Sequence, residues 1–120
     1  MKNEIKNAIG AHGLWKSRLQ TMIDSGKTDI PVDTIKVDNQ CAFGKWLYAS
    51  VGKIGAEHTD CYNRVLELHA KFHEIAGRVA QHAVSGRLDD AKHLLEGEYQ
   101  LASAKLTKEM MGWQQSLGEQ

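Results

Sequence analysis

The sequence predicts an all-α fold, and three observations support that prediction. Apolar residues recur every three or four positions over long stretches of the 120-residue chain, which is the period of an amphipathic helix. Proline occurs once, at Pro31, so little interrupts helical hydrogen bonding. The periodic stretches end at glycines such as Gly26 and Gly86, where a left-handed helix cap is favourable. We expect an antiparallel bundle of three long helices plus a short one.

The first long helix carries an apolar stripe with a histidine in its middle. It ends at Ser25-Gly26, a sequence typical of a helix C-terminus. Between Lys27 and Asn39 the periodicity is lost and turn-forming residues dominate, so we predict an ordered loop. The stripe consists of Ile5, Ala8, Ile9, His12, Trp15, Leu19, Met22 and Ile23.

A short helix is predicted from about Gln40 to Tyr48, with Asp38 or Asn39 as its N-cap. This assignment places Cys41 in the first turn of the helix. Oriented backbone N–H groups at that position favour a thiolate.

The third helix is predicted from near Glu57 to Val84, and the last one starts at Leu88 or Asp89. The short turn at Ser85-Gly86 predicts that these helices pack antiparallel at a shallow angle. The third stripe consists of Tyr62, Val65, Leu66, His69, Phe72, His73, Ala76, Val79, Ala80 and Ala83. The last stripe consists of Ala91, Leu95, Tyr99, Ala102, Leu106, Met110, Trp113 and Leu117.

Length and charge restrict the function. We expect a single domain over residues 1–120. Lys plus Arg and Asp plus Glu number 15 each, so no net charge draws the chain to nucleic acid or to an anionic membrane surface. No apolar run has the length of a signal peptide core or of a membrane span. We therefore expect a cytoplasmic protein in which Cys41 and Cys61 stay reduced.

Histidines lie within two of the apolar stripes. His69 and His73 are four residues apart, so their side chains lie one turn apart on one helix face, within reach of one metal ion. His12 occupies a similar position on another helix, where a polar side chain is costly unless a partner satisfies it. Three imidazoles and the Cys41 thiolate form a tetrahedral set that zinc favours. The sequence thus predicts a zinc site of His12, Cys41, His69 and His73.

Each candidate ligand also has a purely structural interpretation. His12 can be a core histidine that bonds to a tyrosine or a backbone carbonyl, and Cys41 can be a small buried hydrophobe. We interpret Cys61 in that way, because it precedes His69 by eight residues, about 12 Å along a helix. The remaining histidines are predicted to be partly exposed helix residues: His58, His82 and His93.

Three sequence blocks resemble a known family in their order and spacing. They are Ala-His-Gly-Leu-Trp-Lys-Ser-Arg-Leu at 11–19, Cys-Ala-Phe-Gly-Lys-Trp-Leu-Tyr at 41–48 and His-Ala-Lys-Phe-His at 69–73. On these blocks the chain resembles the CZB domain, the chemoreceptor zinc-binding domain of bacteria, from about Ile5 to Leu117. The resemblance implies a helical bundle that binds zinc through three histidines and one cysteine, which fall on His12, Cys41, His69 and His73.

The resemblance also implies a signalling role. Such domains are usually fused to chemoreceptor signalling regions or to diguanylate cyclases, where zinc occupancy or cysteine oxidation is the expected signal. This sequence has no output module, so we expect a free-standing member or an excised piece. Relatives of the cyclase type pair through this domain, which implies a homodimer. Leu14, Leu68 and Ile75 lie beside the main stripes and are candidates for its interface.

The other residues of the blocks are predicted to support the site. Trp15 should pack on the same face as His12, while Phe43, Trp46 and Leu47 should anchor the short helix. Gly44 should let that helix approach a neighbour closely. Because the cysteine ligand lies on a segment separate from the long helices, its oxidation is expected to release the short helix.

Two other functional classes fit the pattern less well. A catalytic zinc site keeps an open position for water, whereas four protein ligands leave none. His73-Glu74 does not extend to a His-Glu-x-x-His motif because residue 77 is glycine. A di-iron or other metal-binding bundle for oxygen binding or metal storage needs inward carboxylates, and only Glu98 lies near a stripe. We therefore expect a zinc-binding domain that is not an enzyme.

Overall fold

The computed structural model describes residues 2–50, 53–55 and 58–117. Its regular secondary structure is entirely helical within these ranges, which confirms the predicted fold class. The helices are α1 (Lys2–Gly13), α2 (Trp15–Ser25), α3 (Val32–Ile35), α4 (Ala42–Ala49), α5 (Thr59–Val84), α6 (Leu88–Glu96) and α7 (Glu98–Leu117).

Two of the three predicted long helices are each interrupted once. Leu14 separates α1 from α2, and Gly97 separates α6 from α7. Backbone hydrogen bonds join both residues to the helices on either side. Leu14 N donates to Ala11 O at 3.2 Å and Leu14 O accepts from Arg18 N at 3.2 Å, while Gly97 N donates to His93 O at 3.0 Å and Gly97 O accepts from Leu101 N at 3.2 Å. Each pair of helices therefore acts as one long element of the bundle. The predicted start of the third helix at Glu57 lies outside the described residues.

The helices α5 and α7 run antiparallel, as predicted. Near the beginning of α5, Tyr62 contacts Trp113 close to the end of α7. Further along α5, Phe72 contacts Tyr99 at the beginning of α7. On the other side of the bundle, α1 packs on α7 and α2 packs on α6. The α1–α2 pair is therefore antiparallel to the α6–α7 pair.

The segment between α2 and α5 also runs antiparallel to α5. The Ile35 carbonyl accepts a hydrogen bond from His73 at 3.0 Å, and the Leu47 carbonyl accepts one from Tyr62 at 2.6 Å. The predicted ordered loop was wrong in one respect, because it contains the helix α3. Four residues are too few to show a helical period in the sequence.

The predicted stripes form the buried core. All eight stripe residues of α6 and α7 are buried, and in the other two stripes only Ile9 and Leu66 are partly exposed. Ile75 is also buried, at 2 % exposure, so it cannot contribute to a dimer interface as predicted. Among the described residues, none of the helices has the length and hydrophobicity that a membrane span requires.

Candidate metal centre

Four side chains from three parts of the fold meet inside the bundle. His12 lies at the end of α1, His69 and His73 lie on α5, and Cys41 directly precedes α4. Their ligand atoms all lie within 4.8 Å of one another. Within the part of the chain that the structure describes, no other group of His, Cys, Asp or Glu side chains could hold a metal ion. The four residues are those that the sequence predicted.

The Nε2 atoms of the three histidines and the Sγ atom of Cys41 face one another. His12 Nε2 lies 3.1 Å from His69 Nε2 and 3.4 Å from His73 Nε2. Cys41 Sγ lies 3.4, 3.5 and 4.0 Å from Nε2 of His69, His73 and His12, respectively. Tetrahedral zinc with ordinary bond lengths requires edges of about 3.4 Å between nitrogens and about 3.6 Å between nitrogen and sulfur. The five separations given above therefore lie within about 0.4 Å of the edges of a zinc coordination shell.

Backbone carbonyls fix the tautomer of two of the imidazoles. His12 Nδ1 donates to the Ala8 carbonyl at 2.8 Å, and His73 Nδ1 donates to the Ile35 carbonyl at 3.0 Å. A carbonyl only accepts, so in each neutral ring Nδ1 carries the proton and Nε2 has a free lone pair. Two such lone pairs 3.4 Å apart repel unless a cation lies between them. Histidines that bind metals usually have this second hydrogen bond.

His69 is positioned by ring packing instead. It is 0 % exposed, and its Nδ1 is buried without a hydrogen-bond partner in the structure. Phe43 lies edge-on to it, with 5.3 Å between the ring centroids. Its Nε2 thus faces the other ligands although no carbonyl orients its ring.

Burial keeps the three imidazoles neutral. Desolvation is the main cause that lowers the pKa of His12 to about 4 and that of His69 to about 2. It also lowers the pKa of His73, against a smaller raising effect of the bond to Ile35. Because metals bind the neutral imidazole, no proton competes for these sites at neutral pH.

Cys41 is the N-cap of α4 rather than a residue of its first turn, and neither Asp38 nor Asn39 caps that helix. Its Sγ accepts a hydrogen bond from the Gly44 N–H at 3.3 Å. Burial raises the pKa of the Cys41 thiol. Hydrogen bonds from the backbone N–H groups of Gly44, Phe43 and Cys41 itself lower this pKa, but by less. The prediction that the helix terminus favours the thiolate was therefore incomplete, since a metal cation is also needed to stabilise the thiolate at neutral pH.

Aromatic side chains surround the imidazoles. The Phe43 ring lies edge-on to His12 as well as to His69, and the Trp15 ring lies 6.2 Å from His73. Phe43 and Trp15 are both buried. The predicted packing of these residues around the site is confirmed, and it limits the access of water to the donor atoms.

Two glycines allow the chain before α4 to lie close to its neighbours. A Cβ atom on Gly44 would overlap the Asp38 carbonyl oxygen, and one on Gly77 would lie 2.8 Å from the Lys36 Cα. The predicted close approach at Gly44 is confirmed, although its neighbour is a loop. The role of Gly77 was not predicted. The signal was present in the sequence as a glycine within the buried stripe, one turn after His73.

The remaining candidates lie apart from the site. Cys61 is half-buried and accepts a hydrogen bond from Arg64 at 3.7 Å. Glu98 is exposed and pairs with Arg78 at 3.2 Å, and no carboxylate belongs to the metal-binding group among the described residues. The geometry therefore gives no support to a di-iron site. The other histidines are partly or fully exposed, as predicted: His58, His82 and His93.

Comparison with known proteins finds one family, over a range that contains the four residues. A family model described as "Chemoreceptor zinc-binding domain" matches residues 12–80, more than half of the 120-residue chain. The match begins at His12 and includes Cys41, His69 and His73. Comparisons with curated proteins and with solved structures give no match.

Proposed function

The chain belongs to the chemoreceptor zinc-binding (CZB) domain family, and on that premise we propose that it is a regulatory domain in which four residues bind one zinc ion. The proposed ligands are Nε2 of His12, His69 and His73 and Sγ of Cys41. The observation that carries the proposal is that three Nε2 atoms and one sulfur face one another at separations close to those of a tetrahedral shell, with free lone pairs on His12 and His73.

Four protein ligands favour regulation over catalysis. When all four bind, zinc has no position left for water or substrate, as in structural zinc sites. Bound zinc would supply a positive charge that stabilises the Cys41 thiolate and removes the repulsion between His12 and His73. The chain's own residues hold the donor atoms and limit the access of water to the three imidazoles. We therefore propose that the protein is not an enzyme and that metal binding controls its conformation.

The signal that we propose is a change at Cys41. The histidines lie on α1 and α5, whereas Cys41 lies on the short segment that leads into α4. Reaction of the thiol with hydrogen peroxide gives a sulfenic acid and water, and the product no longer has the original thiolate donor. Loss of that ligand would release α4 from the histidines. A fall in zinc occupancy would have the same effect, so either input can act through the same segment.

The output that we propose is of the chemotaxis or cyclic-di-GMP type, in the cytoplasm, where Cys41 stays reduced. A domain of this kind passes its signal to a protein partner or to a second copy of itself. We propose a homodimer, supported by exposed apolar side chains on the bundle surface. Leu14 is 65 % and Leu101 is 63 % exposed, while Leu68 is half-buried beside Leu101 in a groove between α5 and α7.

Native mass spectrometry of the purified protein tests this proposal, because it reports metal identity, stoichiometry and oligomeric state together. We expect one zinc per chain in the wild type and a lower occupancy in Cys41→Ala. A wild-type protein that binds iron, or that binds no metal in the presence of zinc, would contradict the proposed function.

A further inference from the structure

Residues 36–41 connect α3 to α4, and we call them the Cys41 strap. The strap begins directly after Ile35, whose carbonyl accepts the hydrogen bond from His73 at 3.0 Å. It ends at Cys41, whose Sγ lies 3.5 Å from His73 Nε2. Both ends of the strap are therefore at the metal site, and its conformation fixes where the sulfur lies.

The strap is fitted closely between two helices. At its start, the Lys36 backbone lies over Gly77 on α5, in space that a Cβ atom would occupy. At its middle, the Asp38 carbonyl lies over Gly44 on α4 in the same way. These contacts fix the distance of the strap from α4 and α5, but neither of them holds the strap by a hydrogen bond.

Besides the hydrogen bond from the Gly44 N–H to Cys41 Sγ, a second side-chain hydrogen bond ties the strap to α4. The Tyr48 hydroxyl donates to Asp38 Oδ2 at 2.6 Å. Asp38 precedes Cys41 by three residues, and Tyr48 lies in the last turn of α4, so the bond closes the strap over its own helix. This bond is the main cause that raises the pKa of Tyr48 to about 12, and the phenol thus remains a donor at neutral pH. Tyr48 is 45 % exposed, so burial does not account for its position.

We propose that the Tyr48–Asp38 hydrogen bond positions Cys41, holding its sulfur toward the three imidazoles and slowing its release from the metal. This inference rests on the proposed function, because it requires that Cys41 is a ligand. His12, His69 and His73 lie on helices whose apolar stripes are buried in the core. Cys41 is held by the strap and by the Gly44 N–H, so a bond that closes the strap acts mainly on this ligand.

The experiment measures how fast Cys41 becomes available to a reagent in the zinc-loaded 120-residue chain. Iodoacetamide alkylates free thiolates, and mass spectrometry of peptides reports Cys41 and Cys61 separately. Cys61 lies outside the site and serves as an internal reference for general loosening of the fold. In Tyr48→Phe, which removes only the hydroxyl, we expect Cys41 to react about two- to tenfold faster, the range that one hydrogen bond supports. The Cys61 rate should stay at the wild-type value.

Tyr62→Phe is the matched control. Its hydroxyl donates to the Leu47 carbonyl at 2.6 Å, so it also ties α4 down through a bond of the same length. That bond lies at the far end of α4 from Cys41 and is buried. We expect Tyr62→Phe to lower the melting temperature while the Cys41 rate stays within twofold of the wild type.

A pair of Asp38 variants separates the hydrogen bond from the charge. Asp38→Asn keeps an oxygen that accepts the hydrogen bond from Tyr48. In this variant Cys41 should therefore be alkylated at a rate close to that of the wild type. Asp38→Ala removes the acceptor and should match Tyr48→Phe. If Asp38→Asn reacts as fast as Asp38→Ala, the carboxylate acts through its charge and the inference is overturned.

Two further results would also overturn the inference. One is an unchanged alkylation rate of Cys41 in Tyr48→Phe, and the other is an equal acceleration in Tyr62→Phe.

The cobalt-substituted wild type distinguishes these failures from failure of the proposed function. A thiolate-to-cobalt charge-transfer band in the wild type shows that Cys41 is a ligand. With that established, the alkylation rate of Cys41 in the variants tests only the role of the strap. Absence of that band in the wild type overturns the proposed function and, with it, this inference.

Discussion

His12 Nε2 and His73 Nε2 lie 3.4 Å apart in the interior of the bundle, and the Nδ1 atom of each ring donates to a backbone carbonyl. Both Nε2 atoms therefore present lone pairs to each other. Because the rings are at most 5 % exposed, water cannot readily relieve this repulsion. A cation between the two rings converts the repulsion into two bonds, which is why we regard the pair as the rigid half of a metal site.

Removal of either helix-borne ligand of α5 should abolish tight zinc binding. His69→Ala or His73→Ala removes a donor whose position is set by the core, so no neighbouring side chain can replace it. We expect loss of the one-to-one zinc complex, as measured by competition with a chromophoric chelator. The control is His93→Ala, at an exposed histidine of α6, which should bind zinc as the wild type does. A full equivalent of tightly bound zinc in His69→Ala would show that the proposed ligand set is wrong.

Replacement of the cysteine ligand should lower the zinc affinity less than replacement of a histidine does. It should destabilise α4 more. In Cys41→Ala three imidazoles remain to hold the metal, but Gly44 loses the sulfur that caps its N–H. We expect zinc affinity to fall by about tenfold or more, since loss of a residue that only supports a ligand already costs about 10- to 100-fold. Hydrogen exchange should show faster opening of α4 with little change in α5. Cys61→Ala is the control, and an unchanged affinity and unchanged exchange in Cys41→Ala would refute the switch at this residue.

Removal of the metal should destabilise the bundle. Zinc binds the assembled donor set and not the unfolded chain, so a concentration 100-fold above the dissociation constant stabilises the fold by about 2.7 kcal/mol. For a domain of this size that corresponds to a rise in melting temperature of about 10 °C. Calorimetry with zinc and with an excess of chelator measures the difference. Equal melting temperatures would mean that the donor cluster does not bind zinc under these conditions.

Gly77→Ala should disturb both stability and metal binding. The added methyl group overlaps the Lys36 side chain and approaches its Cα, so α3 must move away from α5. We expect a cost of about 1–3 kcal/mol, typical of overpacking, in denaturant unfolding, and weaker zinc binding because the Ile35 carbonyl moves with α3. The control is Gly10→Ala, where a Cβ atom meets nothing within 4 Å and helix propensity predicts stabilisation by about 0.5–1 kcal/mol. Wild-type zinc affinity in Gly77→Ala would argue against a role for this contact in the site.

The proposed homodimer predicts that a charge introduced into the groove between α5 and α7 separates the two chains. Leu101 is exposed there next to Leu68, and Leu101→Glu places a charge where the second chain would bury an apolar side chain. We expect light scattering coupled to size exclusion to show a dimer for the zinc-loaded wild type and a monomer for the variant. Leu14→Glu, a substitution at the break between α1 and α2, tests the other candidate surface. A monomeric wild type would exclude the homodimer under these conditions.

The sequence was sufficient to predict the long helices and the three histidines of the cluster, because both depend on periodicity. Cys41 lies on no stripe and was predicted from the ligand preference of zinc and from the block at residues 41–48. A stripe that includes His12, or His69 and His73, assigns those residues to the interior whatever the details of packing. Contacts made by the backbone were not predictable in the same way. The cap at Cys41 was missed because Asp38 and Asn39 are the more common cap residues, and a buried sulfur near Gly44 is favoured only by the tertiary site.

The short elements were missed for a related reason. The four residues of α3 carry no periodic signal, and the interruptions at Leu14 and Gly97 leave the apolar stripe in phase. Ile75 appeared to lie beside its stripe, yet the neighbouring helix covers it. The first two errors concern features too short to change the periodicity, whereas the burial of Ile75 depends on which surface a neighbouring segment covers, and that information is absent from local sequence.

X-ray absorption spectroscopy at the zinc edge of the 120-residue chain tests the central claim most directly. The proposed site predicts three nitrogen ligands at about 2.0–2.1 Å and one sulfur ligand at about 2.3 Å, with the sulfur shell lost in Cys41→Ala. A zinc shell without sulfur in the wild type, or one with two or more sulfur ligands, would contradict a site built from His12, Cys41, His69 and His73.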